Sequence, residues 1–223
     1  MLFRSDAARA ALRGLAAKLT AAMALPDGMQ VKVHYSPDPV LNAFATLGGN
    51  VVFYRGLLQR FDSEDAVAAA LAHEIAHAKL RHPAASLGRG IAAGLTLSLL
   101  STGLGETIAG NAMQMAATLP LLKYSRDQEA AADREAIVAV AKVYGHAGGA
   151  HDALSALGKI RLDANDVSFL RTHPVSAERV AAVEALARER GWALDGARTP
   201  LPAALAVLKE EKSKRSAVVA PEN

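Results

Sequence analysis

The chain has 223 residues, no cysteine, a formal charge of +3, a hydrophobic fraction of 51% and only 4% aromatics. That length reads as one domain whose core needs no disulfides, and the apolar content excludes a disordered or collagen-like chain. The lack of cysteine excludes thiol catalysis and thiolate metal sites. Basic and acidic residues are mixed along the chain without interleaved aromatics, so no nucleic-acid face is expected.

Alanine accounts for 49 residues, which favours helices packed at close range over a β-sandwich. Met1-Leu2-Phe3-Arg4-Ser5-Asp6 becomes charged before any apolar run. It does not read as a signal peptide, which leaves a cytoplasmic protein or an already trimmed chain. Residues 5–25 carry Leu12, Leu15, Leu19 and Met23 at helical spacing and stop at Pro26-Asp27-Gly28, so an amphipathic helix is predicted there. The period then changes. Val31, Val33 and Tyr35 alternate with Lys32 and His34, and the runs 40–47 and 50–54 flank Gly48-Gly49. A strand followed by a β-hairpin is expected, giving a small three-stranded sheet in an otherwise helical α+β fold.

Asp62-Ser63-Glu64-Asp65 supplies a cap and first-turn acids for a helix through Val67, Leu71 and Ile75 that should stop at His82-Pro83. Beyond it, 90–105 and 107–122 are uncharged and separated only by Glu106. A membrane span needs about 20 apolar residues. These runs are shorter, rich in Gly, Ser and Thr, and broken by Pro120, so buried or cleft-lining helices are expected, with membrane association as the alternative. Further helices are predicted at 125–144, 150–161, 175–190 and 200–212. A single domain over 1–208 and a solvated tail over 209–223 complete the reading.

The chemistry concentrates in His73-Glu74-Ile75-Ala76-His77. Each helical residue turns about 100°, so the two imidazoles lie about 40° apart and one turn along, facing one point. Glu74 flanks that point without ligating, which suits a general base acting beside a zinc ion. The competing reading is a solvated histidine pair. His82, about 180° around the same helix from His73, should stay outside the site. Catalytic zinc usually takes a third protein ligand. Glu129 and Asp133 share an otherwise apolar face with Ala132, Ala136, Ile137 and Val140, where unpaired carboxylates would be costly. Glu129 is the expected third ligand, and Asp133 the acceptor that fixes a histidine tautomer. Asp127 and Glu106 remain rival ligands, and solvent-facing acids paired with Lys or Arg remain the plain alternative. His34, His146 and His151 read as ordinary surface or core histidines.

Four motifs together resemble a known group: Asn42-Ala43-Phe44-Ala45, His73-Glu74-Ile75-Ala76-His77, Ser125-Arg126-Asp127-Gln128-Glu129 with Asp133, and Thr172-His173-Pro174 with Arg179. Over roughly residues 35–190 the chain is similar to the gluzincin zinc metallopeptidases, which include the HtpX, BepA-like and Oma-type proteases and the CAAX prenyl endopeptidases. The resemblance implies a zinc-dependent endopeptidase with one ion held by His73, His77 and Glu129, and Glu74 as base. It implies that Asn42, Ala43 and Phe44 form a sheet edge that takes the substrate as an added strand. His173 would block the open zinc position as a latch or donate to the oxyanion, and Arg179 would anchor its loop on a carboxylate. Membrane-spanning members carry long apolar segments; here none is long enough. That favours the soluble branch of the bacterial envelope, working on misfolded or envelope proteins, with 86–122 as a cap over the cleft. The alternative is a latent, chaperone-like zinc protein held closed by 86–122 and the His173 loop.

Overall fold

The computed structural model describes residues 2–100, 124–160 and 168–209. The first helix, α1 (Leu2–Met23), lays Ala8, Leu12, Leu15, Leu19 and Met23 into the core. Three strands follow: β1 (Lys32–Ser36), β2 (Ala43–Ala45) and β3 (Asn50–Tyr54). The expected hairpin is present, with Phe44 opposite Val52 and a 3-10 turn at Leu47–Gly49 between the strands. The sheet is mixed and its order is β1-β3-β2. β1 runs parallel to β3, with Val33 beside Val51 and Tyr35 beside Phe53, so the last strand fills the centre and β2 is left at an edge.

After the short α2 (Arg55–Leu58) comes α3 (Glu64–Lys79). Ser63 caps it, accepting from the Ala66 amide at 3.2 Å. Every residue from Glu64 to Ala78 is buried. A helix enclosed on all sides must be apolar or small all round, and the alanines of α3 meet that demand. It ends earlier than the sequence indicates. Arg81 takes a left-handed φ of 58°, and His82-Pro83 opens the next helix, α4 (His82–Leu100), instead of closing α3. Proline suits a first turn because the amide it lacks has no partner there.

α5 (Arg126–Tyr144) begins with a capping box between Ser125 and Gln128 and ends at Gly145, whose φ of 77° suits a glycine C-cap. α6 (Gly148–Gly158), the one-turn α7 (Ser168–Thr172) and α8 (Ala177–Glu189) follow. A helical segment over 203–209 ends the described chain. α1, α5 and α6 all pack against α3. The segment before 203 straps the start of α3: the Glu64 amide donates to Thr199 O at 2.9 Å, the Thr199 amide donates to Asp65 Oδ2 at 3.1 Å, and Ser63 bridges Pro200.

Residues 101–123 of the expected cap and 210–223 of the expected tail lie outside the described residues. Lys209, where the predicted helix 200–212 and the expected tail overlap, is helical and donates to Phe61 O at 3.1 Å. Among the described residues no helix is long and apolar enough to cross a membrane.

Candidate metal centre

α3 and α5 pack against each other, and the small side chains Ala69, Ala72 and Ala76 on one and Ala132 and Ala136 on the other are all buried. Their pairs of polar residues, each one turn apart, therefore meet. One ligand-capable atom from each of His73, His77, Glu129 and His173 lies within 4.8 Å of the others, and all four residues are buried. His73 Nε2 stands 3.0 Å from His77 Nε2 and 3.5 Å from Glu129 Oε2; His77 Nε2 is 3.3 Å from Glu129 Oε1. Asp127 is exposed and outside this group, and Glu106 lies outside the described residues.

The reverse sides of the rings are held as well. His73 Nδ1 is 2.9 Å from Asp133 Oδ1. Asp133 in turn accepts from Arg179 Nε and Nη2, both at 2.7 Å. Arg179 Nη1 donates to Pro174 O at 2.9 Å and sits 2.7 Å from Glu129 Oε2. That last contact is an ion pair without hydrogen-bond alignment, since Oε2 has no hydrogen-bond partner. Arg179 thus ties the loop after α7 to the two buried acids of α5, Glu129 and Asp133.

His173 is fully buried. Its amide donates to Phe169 O at 2.8 Å, and the Phe169 ring stacks on it at 4.7 Å. Its Nδ1 is 3.0 Å from Glu129 Oε1 and 3.3 Å from His73 Nε2, while Nε2 faces Glu74 Oε1 at 3.4 Å. The segment Thr172-His173-Pro174 therefore stands inside the cluster, with Glu74 beside it.

His82 stays outside the ligand group, as expected, but it contacts one of its members. The helical-wheel argument that excluded it assumes an unbroken α3. The left-handed turn at Arg81 swings it back, and its Nδ1 lies 2.8 Å from His77 Nδ1. Tyr124 is a further residue that sequence reasoning missed: its ring stacks on His77 at 3.9 Å with 17° between planes. Its place immediately before the Ser125 cap was the available signal. The other histidines lie elsewhere. His34 pairs with Asn50 at the surface, His146 accepts from the Gly148 amide, and His151 stands 3.2 Å from Glu184.

At the sheet, Tyr54 N donates to Asn42 O and Thr46 N to Asn50 O. Antiparallel strands alternate, so the main-chain groups of Ala43 and Ala45 turn away from β3. Asn42 and Ala43 are buried, whereas Phe44 is partly exposed and 6.1 Å from the Tyr54 ring. β2 also lies against α3.

Burial works against charge throughout this cluster, and at His73, Glu129 and Asp133 specific partners override it. Burial disfavours the His73 imidazolium, but Asp133 and Glu129 outweigh that and raise it to about 10. Burial pushes the Glu129 carboxyl up, and contacts from His173, His73 and His77 drive it far below the usual carboxylate range. Asp133 is likewise opposed by burial but held at about 2 by Arg179 and His73. His77 is held well below its ordinary value by burial.

The donor set fits a divalent cation on two grounds. Three buried acids, Glu74, Glu129 and Asp133, are gathered around one guanidinium, Arg179, which pairs with the last two; with the acids ionised and the histidines neutral, as ligands must be, two negative charges are left over. In addition, both Glu74 oxygens, Glu129 Oε2 and His173 Nε2 are buried without a hydrogen-bond partner, a state that buried polar atoms rarely keep. Nitrogen and oxygen donors in this mixture suit zinc.

Arg179→Met is expected to destabilise the metal-free protein by about 3–5 kcal/mol, because it leaves Asp133 and Glu129 without their buried countercharge. Urea unfolding of the two chains measures this. A loss below about 1 kcal/mol would place the pair among weak surface bridges.

A sequence model of peptidase family M48 matches residues 7–187. The chain is 31% identical over 163 residues to a mitochondrial metalloendopeptidase OMA1 of Arabidopsis thaliana, covering 73% of this chain and 33% of that one. It is 29% identical over 161 residues to the protein of the same name in Schizosaccharomyces pombe, covering 69% and 45%. A beta-barrel assembly-enhancing protease of Yersinia pestis is 32% identical over 109 residues, covering 42% and 21%. The chain thus spans less than half the length of these curated relatives.

Proposed function

This chain belongs to peptidase family M48, and we propose that it is a zinc-dependent endopeptidase in which His73, His77 and Glu129 hold the ion and Glu74 is the general base. The observation that carries this reading is the convergence of two α3 imidazoles and an α5 carboxylate, with donor atoms within 4.8 Å of one another. When bound, a divalent cation supplies Lewis acidity to water and to the scissile carbonyl. The remaining steps belong to the chain. Glu74, with both oxygens free of hydrogen bonds, takes a proton from the attacking water as oxygen adds to the carbonyl carbon. It then passes that proton to the amide nitrogen as the C–N bond breaks. Asp133, fixed by Arg179, holds His73 in the tautomer that points Nε2 inward.

Substrate is proposed to lie along β2 at Asn42, Ala43 and Phe44, using the main-chain groups of Ala43 and Ala45 as an added strand. Recognition through main chain tolerates many sequences, which suits misfolded proteins. The names of the relatives, one mitochondrial and one concerned with β-barrel assembly, support envelope proteins as substrates and a bacterial envelope location. One zinc per wild-type chain, and casein cleavage abolished by a chelator, is the expected result. Cleavage that survives complete metal removal would refute the mechanism.

A second reading, a latent protein, draws on His173. Its ring stands against Glu129, His73 and Glu74 at once, where incoming substrate and water must go. His173→Ala is therefore expected to raise peptide cleavage several-fold with zinc content unchanged, in a fluorogenic-peptide assay. A fall in rate would instead assign His173 to stabilising the oxyanion.

A further inference from the structure

We infer that His82 is a positioning residue for the metal centre: it accepts the Nδ1–H of His77 and thereby keeps the Nε2 lone pair of His77 turned toward the ion. The inference rests on the ligand assignment proposed above.

A ligating imidazole gives its lone pair at one nitrogen and carries a hydrogen on the other, and that hydrogen needs an acceptor. For His73 the acceptor is Asp133. For His77 the nitrogen away from the centre is Nδ1, and the group facing it at 2.8 Å is His82 Nδ1. His77 is fully buried and His82 is 8% exposed. Two ring nitrogens this close must be one donor and one acceptor. With His77 donating, His82 takes the tautomer that is bare at Nδ1.

The choice of imidazole over a second carboxylate has an electrostatic reason. With the ligand histidines neutral, the acids around the site exceed Arg179 by two charges, the amount one divalent ion cancels. A carboxylate at position 82 would leave an uncompensated buried charge, which is costly. A neutral acceptor fixes the tautomer without adding one.

His82 is also the first residue of α4, beyond the left-handed Arg81. Two turns along α4, Arg89 donates to Gln128 Oε1 at 3.0 Å, the same oxygen that accepts from the Ser125 amide in the cap of α5. The start of α4 therefore touches both ligand-bearing helices, at His77 and immediately before Glu129. A displacement of α4 would be felt at the metal through the His82–His77 hydrogen bond.

The test compares zinc affinity, by competition with a chromophoric chelator, for the full chain, His82→Phe and His82→Asn. Phenylalanine keeps the ring volume beside His77 and Tyr124 but has no acceptor; asparagine restores one. The phenylalanine variant is expected to bind zinc about 10–100-fold more weakly, with asparagine recovering part of the loss. Long-range 1H–15N spectra of the zinc-loaded wild type should show the His77 hydrogen on Nδ1. Thermal unfolding of the metal-free phenylalanine variant should match wild type, which a packing role would not allow. Affinity within about twofold of wild type, a His77 hydrogen on Nε2, or a loss that tracks metal-free stability would overturn the role of His82 while leaving the ligand set intact. A wild-type chain that binds no zinc would overturn the ligand set itself.

Discussion

Glu129→Ala is expected to release zinc during ordinary dialysis and to abolish peptidase activity, whereas wild type retains one ion per chain. The substitution removes the only proposed ligand that carries a formal charge and leaves two neutral imidazoles from a single helix. Two nitrogens cannot complete the three-ligand shell that catalytic zinc uses, so the loss should exceed the roughly 10–100-fold typical of an outer partner. The fold should survive, because deleting the carboxylate also removes a buried charge, and Arg179 keeps its two hydrogen bonds to Asp133. Metal analysis and circular dichroism on the same sample separate the two effects. Full zinc occupancy in this variant would show that another group, His173 foremost, completes the shell.

Glu74→Gln should behave in the opposite way. The side chain keeps its shape and its place in α3, and zinc stays bound, but an amide cannot take a proton. A positioned general base contributes about 10²–10⁴-fold, and a loss of that size in kcat is expected with little change in KM. The two Glu74 oxygens have no hydrogen-bond partner, so no hydrogen bond is lost with the charge. Zinc content equal to wild type beside a collapsed rate is the signature. A rate within about tenfold of wild type would remove Glu74 from the chemistry.

These residues were accessible to sequence reasoning to different depths. The spacing of His73 and His77 is a local property of a helix, and it places both rings at one point wherever that helix lies. Glu129 and Asp133 could be singled out because acids interrupt an apolar face, and the structure brings that face onto α3. The contact of His82 with His77 was missed for a definite reason. The wheel projection holds only while the helix continues, and nothing in Leu80-Arg81-His82 signals a left-handed arginine, since φ above zero usually falls to glycine or asparagine. The parallel pairing of β1 with β3 was also out of reach. Alternation shows which residues share a face but not which strand is the neighbour. α7 escaped because a single turn of helix is too short to display a period.

The strap over the start of α3 ties the order of synthesis to the assembly of the proposed site. Once Glu129 has left the ribosome, every proposed ligand has been made, yet the groups that lock them in place have not. Arg179 emerges later, and Thr199, which receives the first amide of α3, later still. A partly translated chain therefore holds the metal-binding letters without the clasp that arranges them. The proposed cleavage should therefore arise only after Thr199 has been made and has closed on α3.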